Sequence, residues 1–103
     1  MTPTYDWSRQ FGKTYVGALN TSAEAFAALF APGAEVRVGG AASSPEGVRE
    51  ATPPGRSAFR RARIEEPWVV LTVRVIDRAS ASVDDRPHRL RFDDGGRVTV
   101  LEA

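Results

Sequence analysis

Trp7, Phe11, Tyr15 and Ala18 recur at helical spacing near the start of the chain, while Arg9, Gln10 and Lys13 fall elsewhere on the circumference. That pattern predicts an amphipathic helix over residues 6–19. Asn20 or Thr21 breaks it. Thr21 and Glu24 have the spacing of a capping box and open a second helix, with Phe26, Leu29 and Phe30 as its buried stripe and Pro32-Gly33 as its stop. Residues 35–38 read as a short strand with Val36 and Val38 on one face, followed by a loop over 39–44. Ser44 as N-cap and Pro45 in the first turn start a third helix carrying Val48. Thr52-Pro53-Pro54-Gly55 interrupts it, because proline cannot continue the hydrogen-bond ladder. One more helical turn is expected over residues 57–61.

Beyond residue 68 the pattern changes from helical to alternating. In WVVLTVRVI one parity, Val69, Leu71, Val73 and Val75, is wholly apolar and should face the helices. The other, Trp68, Val70, Thr72, Arg74 and Ile76, is mixed and should form the outer face of a sheet. A weaker strand over 79–83 should lead into a turn at Asp84-Asp85-Arg86-Pro87. The last segment, residues 88–103, reads as a hairpin of two alternating strands joined at Asp94-Gly95. Helices first and antiparallel strands after them define an α+β domain, with helices packed on one face of a curved, mostly antiparallel sheet that encloses a pocket.

A chain of 103 residues supports one domain, here residues 1–103. With 14 basic and 13 acidic side chains the formal net charge is +1, which argues against nucleic acid or an anionic membrane as partner. Cysteine is absent and His88 is the single histidine. Disulfides, thiolate metal sites, a cysteine nucleophile and a multi-histidine metal site are thereby excluded. The first residues lack a basic start and an apolar run, and no apolar segment is long enough for a bilayer, so a cytoplasmic location is expected.

The order of elements, with LFAPGAEVRV between second helix and strand, SPEGVRE opening the third helix, and RFDDGGRVTVLE as closing hairpin, resembles the nuclear-transport-factor-2-like superfamily. Within it, the similarity is to the SnoaL-like polyketide cyclases and the ketosteroid isomerase relatives, and it covers nearly the whole chain. The resemblance implies a cone-shaped pocket, a small apolar cavity between the concave sheet face and the first helices, and a homodimer formed through the opposite sheet face. It also implies cofactor-independent chemistry in many members and none in others, so fold alone selects no reaction.

The candidate residues follow from parity and from that resemblance. His88 shares parity with Leu90 and Phe92; it is either an inward acid–base group or a rim histidine satisfied by water. Tyr15 lies on the buried face of the first helix, where the isomerase relatives carry an oxyanion-donating tyrosine; the bland reading is core beside Trp7 and Phe11. Phe11, Phe26, Phe30, Leu90 and Phe92 would line the pocket. Trp68, Val70, Arg74 and Ile76 would form the dimer interface, although Trp68 could instead wall the pocket mouth. Arg56, Arg60 and Arg63 would share a helical face, with Arg61 beside them. The isomerase base position falls at or beside Val38, flanked by Arg37 and Gly39, none of which can accept a proton.

Two functions are compatible with this reading. One is a small-molecule enzyme transferring protons without cofactor on an apolar cyclic or polyketide-like substrate. The other is a non-catalytic ligand-binding or dimeric module on the same scaffold.

Overall fold

The computed structural model describes residues 2–52 and 56–103. Helix α1 spans Tyr5–Thr21, α2 Ala23–Ala27 and α3 Pro45–Ala51. The strands are β1 Phe30–Val38, β2 Ala41–Ala42, β3 Ser57–Glu65, β4 Trp68–Asp77, β5 Ser82–Phe92 and β6 Val98–Glu102. They form one sheet in the order β2-β1-β6-β5-β4-β3, antiparallel throughout except where β1 runs parallel to β6. Register shifts in β1, in β3 and near the end of β5 bend it, as bulges do. This is the curved α+β cone that the sequence predicts.

Helix α1 forms because its capping and its apolar stripe agree. The Thr4 side chain accepts from the Trp7 amide at 3.1 Å, Asp6 complements the positive end, and Phe11, Tyr15 and Leu19 are buried. Gly12 faces the Phe59 ring so closely that a Cβ there would collide with it, so this glycine lets the helix settle on β3. Asn20 Nδ2 donates to the Ser57 carbonyl at 2.9 Å, and Arg49 Nε donates to the Leu19 carbonyl at 3.3 Å, tying the end of α1 to β3 and to α3. Ser44 caps α3 as expected, accepting from the Gly47 amide, and Val48 is fully buried. The segment Pro53-Pro54-Gly55 lies outside the described residues.

Several elements differ from the sequence reading, among them β2, which forms within the expected loop over 39–44. The cap of α2 is Ser22, not Thr21: Ser22 is extended, closes α1, and accepts from the Ala25 amide at 3.1 Å. Helix α2 also stops at Ala27, because Phe30 already pairs with Val98 and the Leu29 carbonyl accepts from the Val98 amide at 2.9 Å. A long-range ladder here overrides a local helical period. Residues 57–61 are strand rather than helix, for the same reason. Their alternation is masked by the register shift between Phe59 and Arg61, which throws Ala62 and Ile64 out of phase with Phe59.

The expected turn at residues 84–87 is instead the middle of β5. The chain reverses earlier, where Asp77 Oδ1 accepts from the Ala79 amide at 2.9 Å and Ala81 adopts φ 55°. Pro87 is tolerated inside the strand because β6 joins β5 only from Arg89 onward, leaving one side of the backbone there without a ladder. The final turn spans residues 93–97. Asp93 Oδ1 accepts from the Gly95 and Arg97 amides at 2.9 and 3.0 Å, and Gly96 takes the left-handed conformation at φ 80°.

Candidate functional site: a buried tyrosine–histidine pair and a cleft at the end of the sheet

The inner face of the sheet is built from alternate residues of the central strands. Val69, Leu71, Val73 and Leu90 are almost wholly buried, and register places His88 beside Leu71. The imidazole therefore points into the interior and keeps only 2% of its surface exposed. Tyr15 meets it from α1: the Tyr15 hydroxyl lies 2.6 Å from His88 Nδ1, with the two rings perpendicular. The residues that parity and resemblance single out from opposite ends of the chain are in contact.

Burial dominates the electrostatics of this pair. It holds the Tyr15 hydroxyl well above its ordinary value and, with a smaller push from the Arg86 guanidinium, lowers His88 from 6.5 to about 4. At neutral pH both groups are uncharged. With the imidazole proton on Nε2, the phenol donates to the unprotonated Nδ1.

The expected pocket-lining residues surround the same pair. The Tyr15 ring packs 6.0 Å from Phe11 and 5.1 Å from Phe26; Phe26 continues to Phe30 and Phe11 to Phe92, at 5.1 and 4.8 Å. Leu90 is fully buried, and all five belong to or pack against one core cluster. The rings touch one another between helices and sheet. Val38, which the resemblance sets at or beside the isomerase base position, ends β1 half-buried against this core.

The opposite face of the sheet is open. Here Arg37 pairs with Glu35 at 3.0 Å, Arg74 with Asp85 through two hydrogen bonds of 2.8 and 3.1 Å, and Arg63 with Glu65. Of the expected interface residues, Ile76 is exposed and Trp68 half-buried, whereas Val70 is covered within the protomer and Arg74 is engaged with Asp85. Arg61 and Arg63 are strand residues on this face. The helical basic cluster with Arg56 and Arg60 does not form, because β3 replaces the helix.

Trp68 carries two guanidiniums, Arg89 at 4.8 Å and Arg91 at 5.8 Å from its ring centre. It also borders a half-open cleft of about 500 Å³ at the β3–β4 turn, walled by Ile64, Pro67, Phe92 and the chain before α1, with Glu66 and Arg91 as its charged groups. Sequence reading assigned no role to Arg91. The signal is the β4–β5 register, Val69 to Leu90 and Val70 to Arg89, which brings Arg89 and Arg91 beside Trp68 and which no local pattern reveals. Among the described residues no cluster of three or more potential ligands could hold a metal ion, and no helix is long and apolar enough to cross a membrane.

Three helices on a bent six-stranded mixed sheet, with an aromatic interior between them, define the nuclear-transport-factor-2-like fold, and solved structures agree. A de novo designed NTF2-fold protein, NT-9, superposes with a TM-score of 0.73 over 100% of this chain and 87% of its own, at 12% identity. An NTF2-like protein of unknown function from Burkholderia xenovorans LB400 gives 0.70 over 97% and 84%, at 11% identity. AclR from Streptomyces galilaeus, a candidate hydroxylase, gives 0.64 over 96% and 78%, at 18% identity. No protein-family model and no curated protein sequence matches the chain. At these identities the likeness establishes the fold and nothing about activity.

Proposed function

We propose that this domain is a non-catalytic, self-associating binding module on the nuclear-transport-factor-2-like scaffold, with the Tyr15–His88 pair locking α1 to β5. The observation that carries the reading is the buried aromatic cluster around Tyr15. Tyr15 has no exposed surface, its hydroxyl is taken up by His88, and the rings of Phe11, Phe26 and His88 pack around it. A general base works best with a pKa near the operating pH, and an imidazole lowered to about 4 is a poor one at neutrality. A small ligand would then be met at the surface. Self-association would use the sheet face around the exposed Ile76, at the end of β4 opposite Trp68.

The competing reading is a SnoaL-like enzyme in which His88 moves a proton and Tyr15 donates to an oxyanion. It is favoured by the pairing itself, since a positioned phenol and a neutral imidazole are the two parts such a mechanism needs. Carbethoxylation of the folded protein by diethylpyrocarbonate, mapped by peptide mass spectrometry, separates the two. A closed interior protects the single histidine until the protein unfolds. Rapid modification of His88 in the native state would contradict the module and favour the enzyme.

A further inference from the structure

We propose that the cleft beside the β3–β4 turn binds a planar aromatic monocarboxylate, with Arg91 taking the carboxylate and Trp68 and Phe92 flanking the ring. The proposal deepens the surface-binding reading above and rests on it. Three observations converge on this ligand chemistry.

The first is charge left uncompensated. Arg37, Arg63, Arg74 and Arg86 each pair with a carboxylate, whereas Arg91 makes no ion pair or hydrogen bond among the described residues. Its neighbour on the same face, Arg89, has a buried Nε without any hydrogen-bond partner. Two adjacent guanidiniums without carboxylates make a local positive field, and planar guanidinium matches the two oxygens of a carboxylate.

The second is preorganisation. Both guanidiniums lie over the Trp68 indole, so the fork of Arg91 is held at the cleft wall and loses less side-chain freedom on binding than a free surface arginine would.

The third is shape and polarity. About 500 Å³ lies within the range of small-ligand sites, and Ile64, Pro67, Trp68 and Phe92 give the cleft apolar wall surface beside its polar groups. Phe92 is braced from behind by edge contacts with Trp7 and Phe11 at 4.9 and 4.8 Å, so the wall is rigid. Glu66, the other charged group of the cleft, repels a second anionic substituent, which selects a monoanion over a phosphate or a dicarboxylate.

The test is calorimetric titration of the full chain with 2-naphthoate, 2-naphthalenemethanol and inorganic phosphate, with the Trp68 indole N–H followed by NMR. The expected result is binding of 2-naphthoate with a shift of the Trp68 signal, and weaker binding of the alcohol and of phosphate. Arg91→Gln, an exposed position whose fold is checked by circular dichroism, should weaken 2-naphthoate about ten-fold or more and leave the alcohol unchanged, the scale of a lost charge-assisted hydrogen bond. Arg91→Lys should restore part of the affinity. Absence of 2-naphthoate binding at millimolar concentration, equal binding of acid and alcohol, stronger binding of phosphate, or an unaffected Arg91→Gln variant would each overturn the proposal. A silent cleft combined with a protected His88 sinks this ligand assignment alone; a reactive His88 sinks the closed-interior reading whatever the cleft does.

Discussion

The Tyr15 hydroxyl on α1 and Nδ1 of His88 on β5 stand 2.6 Å apart, a hydrogen bond that joins helix layer to sheet inside an otherwise apolar core. Neither partner has water to fall back on. Tyr15→Phe leaves a buried acceptor without a donor and should cost about 1–3 kcal/mol. His88→Leu leaves the phenol unpaired and should cost a similar amount. Tyr15→Phe/His88→Leu removes both polar groups and should cost clearly less than the two single changes together. Chemical denaturation of the four proteins measures the coupling, and strict additivity would show that the bond contributes nothing of its own.

Burial of neutral His88 makes stability depend on pH. Its folded pKa, about 4, lies below the unfolded value of 6.5, so between these limits the unfolded chain binds more protons than the native one. Stability must therefore rise with pH across that window and fall as pH drops from 6.5 toward 4, by up to roughly 3 kcal/mol in total. Asp77 and Asp85 are held below the usual carboxylate value of 3.8 by hydrogen bonds to the Ala79 amide and to Arg74 respectively, so their contributions are lost only at still lower pH. Urea unfolding at pH 7.0 and 5.0 should show the loss in the wild type and little of it in His88→Leu.

Two glycines of α1 should respond with opposite sign to the same substitution. Gly17→Ala meets nothing within 4 Å and gains helix propensity, so it should stabilise by up to about 1 kcal/mol. Gly12→Ala drives a methyl group into the Phe59 ring on β3 and should destabilise by about 1–3 kcal/mol despite the same propensity gain. Thermal unfolding of both variants tests whether α1 is seated on β3 as described.

Much of this fold is legible in local pattern. The stripe of Trp7, Phe11 and Tyr15, the Ser44-Pro45 start of α3 and the apolar parity of β4 each depend on neighbours a few residues away. The failures share a cause in long-range pairing. Phe30 looks helical until Val98 claims it, residues 57–61 look helical until β4 pairs with them across a register shift, and Asp84–Pro87 look like a turn until Arg74 and Thr72 stand opposite. The inward orientation of His88 is readable from parity with Leu90, but its bond to Tyr15 is not, since α1 and β5 meet only through the tertiary fold. Arg91 was invisible for the same reason.

The open sheet face should support a homodimer. Ile76 is exposed at 38%, on the parity opposite Val69, Leu71 and Val73, which pack into the core. Sedimentation at micromolar concentration should give twice the protomer mass, and Ile76→Glu should shift the equilibrium toward monomer. A monomer at all accessible concentrations would remove self-association from the account.

The central claim is that the interior is closed around a neutral Tyr15–His88 pair, and the direct measurement is an NMR titration of the imidazole nitrogens of His88 between pH 7.5 and 4.5. The account predicts the Nε2-protonated tautomer throughout, with no midpoint near 6.5 and protonation only as pH approaches about 4 or as the protein unfolds. A reversible midpoint near 6.5 in the folded protein, or a proton on Nδ1, would contradict it.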